Sequence, residues 1–240
     1  MSAKSPMLTL NNGLEMPVLG LGVLDRSARE QTAGAVQCAI ANGYRLIDTA
    51  AAYGNERQVG EGLRGSGVDR SEMFITTKLW MTDYGYEPAL RAFDSSRRKL
   101  GLDYVDLYLL HWPMPSDFEA TVAAYRAAEK LLADGKVRAI GVSNFSSAHL
   151  NTLIDRADVT PAVNQVQVHP YFIQQELRET NSRLGIATSH GRRSAAAFEA
   201  LAPRATRPTH LRTRPLPNLP RNTARPRHRW CFVGTWITGS

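Results

Sequence analysis

Between residues 18 and 188, short apolar runs alternate with longer stretches whose apolar residues return every three or four positions. The runs are Val18 to Val23, Tyr44 to Asp48, Met73 to Lys78, Val105 to Leu110, Val137 to Val142, Val163 to Val168, and a seventh beginning at Ile186-Ala187-Thr188. Runs of this length read as buried strands, and the intervening period of about 3.6 reads as helix. Helices are predicted from near Ser27 to Asn42-Gly43, then over Glu56 to Arg64, about 86–100, Phe118 to Ala133, Ala148 to Arg156 and Gln174 to Leu184. Ser27 with Glu30 three residues on has the form of a capping box, and Ala33, Val36 and Ile40 share one face of the helix that follows. Ahead of the alternation, Met7 to Leu10 and Leu14 to Met16 flank Asn11-Asn12-Gly13, a hairpin signal.

Strands alternating with helices at this spacing build parallel βα units. Seven in a row, with polar residues at the C-terminal end of each strand, favour an α/β (β/α)8 TIM barrel over an open sheet, here with about seven units and the eighth missing. A Rossmann domain needs Gly-x-Gly-x-x-Gly after its first strand. The chain offers only the fragment Gly20-Leu21-Gly22.

Composition changes this picture in one place. The net charge of +7 suggests a nucleic-acid partner until its distribution is read. Residues 1–188 hold 19 Lys plus Arg against 21 Asp plus Glu, whereas residues 189–240 hold 10 Arg, no Lys and one acid, Glu199. The basicity therefore belongs to the last 52 residues. Two cysteines, Cys38 and Cys231, make no disulfide framework. No apolar run approaches the ~20 residues of a membrane span, and the N-terminus lacks the apolar core of a signal peptide. A cytoplasmic location is the default expectation.

Candidate chemistry gathers at the strand ends. The second strand ends at Asp48 with Tyr53 just beyond, the third at Lys78, the fourth at His111. In a parallel barrel these converge on one mouth. A Lys closing an apolar strand is costly unless paired, and Asp48 is its obvious partner. A Tyr beside that cation has its phenolate favoured, which makes Tyr53 a general acid able to protonate an alkoxide. His111 can hydrogen-bond the same oxygen. Singly, Lys78 reads equally as a structural ion pair and His111 as a satisfied core histidine; together the four point to a reacting centre.

Three segments carry a resemblance: Asp48-Thr49-Ala50-Ala51-Ala52-Tyr53-Gly54-Asn55-Glu56 through Gly60, Leu102-Asp103-Tyr104-Val105-Asp106-Leu107-Tyr108-Leu109-Leu110-His111-Trp112-Pro113, and Ile140-Gly141-Val142-Ser143-Asn144-Phe145. They resemble the signatures of the aldo-keto reductase family, in particular bacterial diketogluconate-reductase and prostaglandin-F-synthase-like members, over about residues 7–188. The resemblance implies a TIM barrel that binds NADPH across its mouth, uses no metal and reduces aldehydes or ketones. Asp48, Tyr53, Lys78 and His111 match the family tetrad. Tyr53 is then the acid, Lys78 its charge partner, Asp48 the anchor of Lys78 and a neighbour of the cofactor, and His111 the group that orients the carbonyl. Ser143, Asn144 and Gln165 fall to the nicotinamide carboxamide, whose one acceptor and two donors they can satisfy. Trp80 and Trp112 fit an aromatic pocket wall, although rim packing accounts for such tryptophans equally well.

After Thr188 the resemblance stops. Family members continue with an aromatic residue that stacks on the nicotinamide, a Ser-Pro loop at the pyrophosphate and an Ile-Pro-Lys-Ser-like strand with Arg at the 2′-phosphate. This chain reads Ser189-His190-Gly191-Arg192-Arg193 and then a tail with six prolines. Arg without Lys is what a reading-frame change in a GC-rich gene would produce. Residues 7–188 are thus expected to form a truncated reductase-like barrel and residues 189–240 an Arg/Pro-rich, disordered tail. Within the tail, Ser194 to Leu201 suits a short helix, and Trp230 to Ile237 is a single apolar run able to cover a sheet edge. Without an eighth unit, the first and seventh strands are expected to be unpaired edges. Each lost phosphate contact removes about 1.5–3 kcal/mol of cofactor binding. Three functions follow: an NADPH-dependent carbonyl reductase, monomeric if folded, acting on a small carbonyl substrate; an impaired remnant of one; and, disfavoured because aromatic residues do not interleave with the arginines until Trp230, a nucleic-acid or acidic-surface binder.

Overall fold

The computed structural model describes residues 5–24, 29–169, 171–191 and 233–238. A hairpin of β1 (Met7–Thr9) and β2 (Glu15–Pro17) precedes an eight-stranded barrel. Seven strands run parallel: β3 (Gly20–Gly22), β4 (Leu46–Asp48), β5 (Phe74–Leu79), β6 (Val105–Leu110), β7 (Val137–Ser143), β8 (Val163–Gln165) and β9 (Ala187–Gly191). Between them lie α1 (Thr32–Ala41), α2 (Glu56–Gly65), α3 (Tyr86–Leu100), α4 (Phe118–Ala133), α5 (Ser147–Ile154) and α6 (Gln175–Arg183). This is the incomplete TIM barrel expected from the alternation, with α3, β6 and α4 at the expected bounds. The cap expected at Ser27 lies outside the described residues, as do the expected tail helix and most of the tail.

One expectation is corrected. The first and seventh parallel strands are not left as open edges, because β10 (Val233–Thr238) inserts between them. It pairs antiparallel with β3 through Val233↔Gly22, Gly234↔Leu21 and Thr235↔Gly20, and with β9 from Thr235↔Gly191 to Thr238↔Thr188. The backbone N–H and C=O groups of an exposed edge demand partners, and a late extended segment supplies them. It does so as a lone antiparallel strand and not as a βα unit. The expected boundary at residue 188 therefore falls within β9, and part of the last 52 residues belongs to the barrel wall.

Alternation along each strand divides the core in two. Leu46, Phe74, Leu107, Leu109, Ala139 and Val163 line the lower lumen, where Leu10 and Met16 from the hairpin join them. The hairpin is pinned across the N-terminal end of the barrel by Asn11 Nδ2 to the carbonyl of Pro161 (3.0 Å) and Asn12 Nδ2 to that of Arg138 (2.9 Å). Ile47, Ile75, Tyr108, Leu110, Ile140 and Val142 face outward against Val36, Val59, Phe93, Tyr125 and Leu150 of the helices. Gly60 is where α2 meets α3: a Cβ there would stand 2.1 Å from the carbonyl oxygen of Leu100, so only glycine allows the approach. The floor is apolar and plugged, which leaves the C-terminal mouth for chemistry.

Candidate active site at the barrel mouth

Each functional side chain is delivered by a strand end. Asp48 is the last residue of β4 and Lys78 the fifth of β5's six; His111 follows β6 directly. Its amide donates to the carbonyl of Leu79 at 3.1 Å, which prolongs the β5–β6 ladder by one bond. Tyr53 closes a short 3-10 turn, Ala51–Tyr53, and Gly54 beyond it takes φ 69°, the left-handed conformation that glycine adopts without strain. Asn55 is fully buried and pins this loop. Its Nδ2 donates to the carbonyl of Val23 (2.5 Å), and its Oδ1 accepts from Thr49 Oγ1 (2.7 Å).

Lys78 is the centre of the cluster, with 1% of its surface exposed. Its Nζ donates to Asp48 Oδ1 and, at 3.0 Å, to the carbonyl of Thr49. It also lies 5.2 Å from the centroid of the Tyr53 ring. Burial on its own pushes the Lys78 ammonium down, but Asp48 and then Tyr53 act in the opposite direction and hold it above the ordinary lysine value. The ammonium therefore stays charged in a dry place, the condition for a cation that steadies a neighbouring phenol oxygen. The ring of His111 stands edge-on to Tyr53, centroids 5.6 Å apart, and Trp80 meets His111 in the same manner at 5.1 Å. The four residues singled out from the sequence are thus brought together, with Trp80 beside them.

The second group lies across the mouth. Ser143 ends β7, Asn144 follows it and Gln165 ends β8. Ser143 Oγ donates to the main-chain oxygen of Gln165 (2.8 Å), which also accepts from the amide of Asn144 (2.9 Å). Asn144 Nδ2 donates to Ser143 Oγ (3.0 Å) and to the carbonyl of His111 (2.8 Å). Asn144 holds φ 64°, a left-handed conformation that Asn tolerates better than most residues. Gln165 Nε2 reaches Asp48 Oδ2, so the two groups are one hydrogen-bonded system. The carbonyl of Trp112 accepts from the Tyr84 hydroxyl at 2.5 Å. Burial pushes that phenol well above its usual range, so it remains a donor at every ordinary pH.

Sequence reasoning missed three contributors, Thr49 through its carbonyl, Asn55 as the loop anchor and Tyr84 as the tie on Trp112. Asn55 alone left a signal, the Gly54-Asn55 turn. The carbonyl of Thr49 carries none, because backbone acceptors look alike in a sequence. Among the described residues no group of three or more His, Cys, Asp or Glu is placed to hold a metal ion, and no helix is long and apolar enough to cross a membrane.

A closed barrel of mostly parallel strands with a buried Lys–Asp pair, a Tyr and a His at its C-terminal mouth has these groups on the face where α/β-barrel enzymes carry their active sites. The profile of the Aldo/keto reductase family matches residues 18–210, and the chain belongs to that family. It is 62% identical over 188 residues to morphine 6-dehydrogenase of Pseudomonas putida, covering 78% of this chain and 63% of that protein. It is 51% identical over 177 residues to glyoxal reductase of Bacillus subtilis, covering 74% and 63%. The chain thus spans less than two thirds of the length of these relatives. Among solved structures, an aldo/keto reductase from Brucella melitensis superposes with a TM-score of 0.75 at 49% identity, covering 77% of this chain and 71% of that one. A Bombyx mori aldo-keto reductase in complex with NADP gives 0.73 at 35% identity, covering 78% and 66%.

Proposed function

We propose that this chain carries the site of an NADPH-dependent carbonyl reductase, converting aldehydes or ketones to alcohols. The observation that carries the reading is the buried Lys78 ammonium, shared between Asp48 and the neighbourhood of Tyr53, with His111 facing the same phenol ring. Bound NADPH supplies a hydride to the carbonyl carbon. The protein's part is the proton: as negative charge grows on the carbonyl oxygen, Tyr53 gives up its phenolic proton, and Lys78 stabilises the charge left on the phenol oxygen. Asp48 keeps Lys78 charged and aimed. His111 offers the same carbonyl oxygen a hydrogen bond and so sets its direction.

Ser143, Asn144 and Gln165 are held together at the ends of β7 and β8, through the Ser143 hydroxyl, the Asn144 side-chain amide and the main-chain oxygen of Gln165. A donor and acceptor set of this kind suits a carboxamide, which supports their assignment to the nicotinamide end of the cofactor. Trp80, half-buried against His111, forms an apolar wall for the substrate, and Trp112, fixed through its carbonyl, follows the end of the neighbouring strand β6. The relatives are named for different substrates, one a morphine 6-dehydrogenase and one a glyoxal reductase. The pocket walls here therefore support the reaction class and leave the substrate open.

The experiment follows NADPH absorbance with a small aldehyde. Tyr53→Phe keeps the ring and removes the proton, so turnover is expected to fall by ~10²–10⁴; unchanged turnover sinks the assignment. A second reading, an impaired remnant, is favoured by the sequence after Thr188, which lacks the family's phosphate-holding motifs. It predicts weak cofactor binding. Titrating NADPH against tryptophan fluorescence is expected to saturate well above micromolar, and saturation at micromolar or below would discard the remnant reading.

A further inference from the structure

Asp48 and Gln165 stand on opposite walls of the barrel. In the closed order of strands, three strands separate β4 from β8 in either direction. Even so, Gln165 Nε2 donates to Asp48 Oδ2, while Lys78 Nζ donates to Oδ1. The two carboxylate oxygens are divided between an amide and a cation. Gln165 is firmly seated for this task, since its main-chain oxygen accepts from both Ser143 Oγ and the amide of Asn144.

The terminal torsion of an aspartate is broad and two-fold, so one hydrogen bond leaves the plane of the carboxylate loosely set. A second bond from the other side sets it. We propose that Gln165 is a positioning residue whose cross-barrel hydrogen bond fixes the plane of Asp48 and so keeps Oδ1 on Lys78. The catalytic meaning of this bond rests on the function proposed above. Lys78 is faced by Asp48 from β4 and by Tyr53 from the turn after it, and His111 from the end of β6 meets Tyr53 ring to ring. Asp48 is the largest single influence opposing the burial that pushes Lys78 down. A carboxylate that swings away from Lys78 therefore weakens that opposition and lowers the Lys78 value.

The chain has five lysines, so side-chain NMR of lysine-labelled, full-length protein can follow Lys78, identified by its loss in Lys78→Met. Gln165→Met keeps the length and removes the donor. It is expected to lower the titration midpoint of Lys78 by on the order of one pH unit, with the circular dichroism spectrum unchanged. A folded variant whose midpoint is unchanged or raised overturns the proposal. The second measurement needs no variant of Gln165: in wild-type protein its side-chain amide proton should lie well downfield of the other glutamine amides, as a charge-assisted hydrogen bond requires. A Gln165 resonance within the spread of the others overturns the proposal as well. Neither readout involves NADPH or turnover. If both shifts appear while Tyr53→Phe leaves turnover unchanged, the reductase reading fails and the positioning role stands.

Discussion

Asp48 and Asp106 are both buried carboxylates on neighbouring regions of one barrel wall, both paired with cations, and they serve different ends. Asp106 is fully buried near the N-terminal end of β6. Its Oδ2 accepts from Arg70 Nη2 (2.6 Å) and the amide of Ile75 (2.8 Å), and its Oδ1 accepts from Arg138 Nη1 (2.9 Å). Arg70 also lies over the Tyr104 ring, 4.1 Å from the centroid. Every partner there is a permanent donor, because arginine keeps its proton in proteins. The Asp106 cluster joins β5, β6 and β7 at the plugged end. Asp48 sits at the open end, where its cation is a lysine beside a tyrosine and a histidine. Under the proposed function, a buried ion pair takes part in chemistry when its cation stands next to a group that can exchange a proton, and when both lie on the C-terminal side of the barrel.

The sharpest way to break that comparison is to remove one member of each cluster. Lys78→Met is expected to lower aldehyde turnover by ~10²–10⁴. Asp106→Ala is expected to leave turnover per folded molecule within about twofold and instead to cost about 3 kcal/mol in urea denaturation. That is the low end for breaking a buried pair, because Arg70 and Arg138 keep part of their surface in water. Equal losses of turnover in the two variants would abolish the distinction.

A smaller effect tests the electrostatics. Lys78 has its folded value raised above 10.5, so the stability it contributes is complete below that value and is lost as pH rises through the higher folded one. Wild-type protein should therefore lose urea resistance on the alkaline side, and Asp48→Asn should flatten this limb.

The smallest effect concerns His190 on β9, which burial, then the charge of Arg178, hold below the ordinary 6.5. The unfolded chain takes up this proton first, so stability should fall slightly as pH drops from 6.5 towards the folded value. His190→Gln should remove that slope in acid-side denaturation curves.

Much of the site was legible because barrel chemistry has a fixed address. Once seven strands are recognised, the residue that ends each one is a candidate, and Asp48, Lys78, Ser143 and Gln165 all end or nearly end strands. What escaped was the pairing across the lumen. Nothing in the chain says that Gln165, 117 positions from Asp48, will reach its second oxygen. Strand bounds moved as well. The run to Val168 forms strand only to Gln165, after which a turn closes through His169 and Phe172, each amide bonded to the other's carbonyl. Apolar alternation marks residues that can be strand; only a neighbour's free backbone makes them so.

Local pattern in the chain was enough for the order and type of the elements between residues 7 and 191 and for Asp48, Tyr53, Lys78 and His111 as candidates at strand ends, since periodicity and residue chemistry are properties of neighbours in the chain. The tertiary structure decided the rest. It made β10 the closing strand, because two edges, β3 at residues 20–22 and β9 at residues 187–191, offered unpaired backbone to any extended segment within reach. It also decided which oxygen of Asp48 meets Lys78 and which meets Gln165, because hydrogen bonds across a lumen depend on the distance between walls and not on separation along the chain.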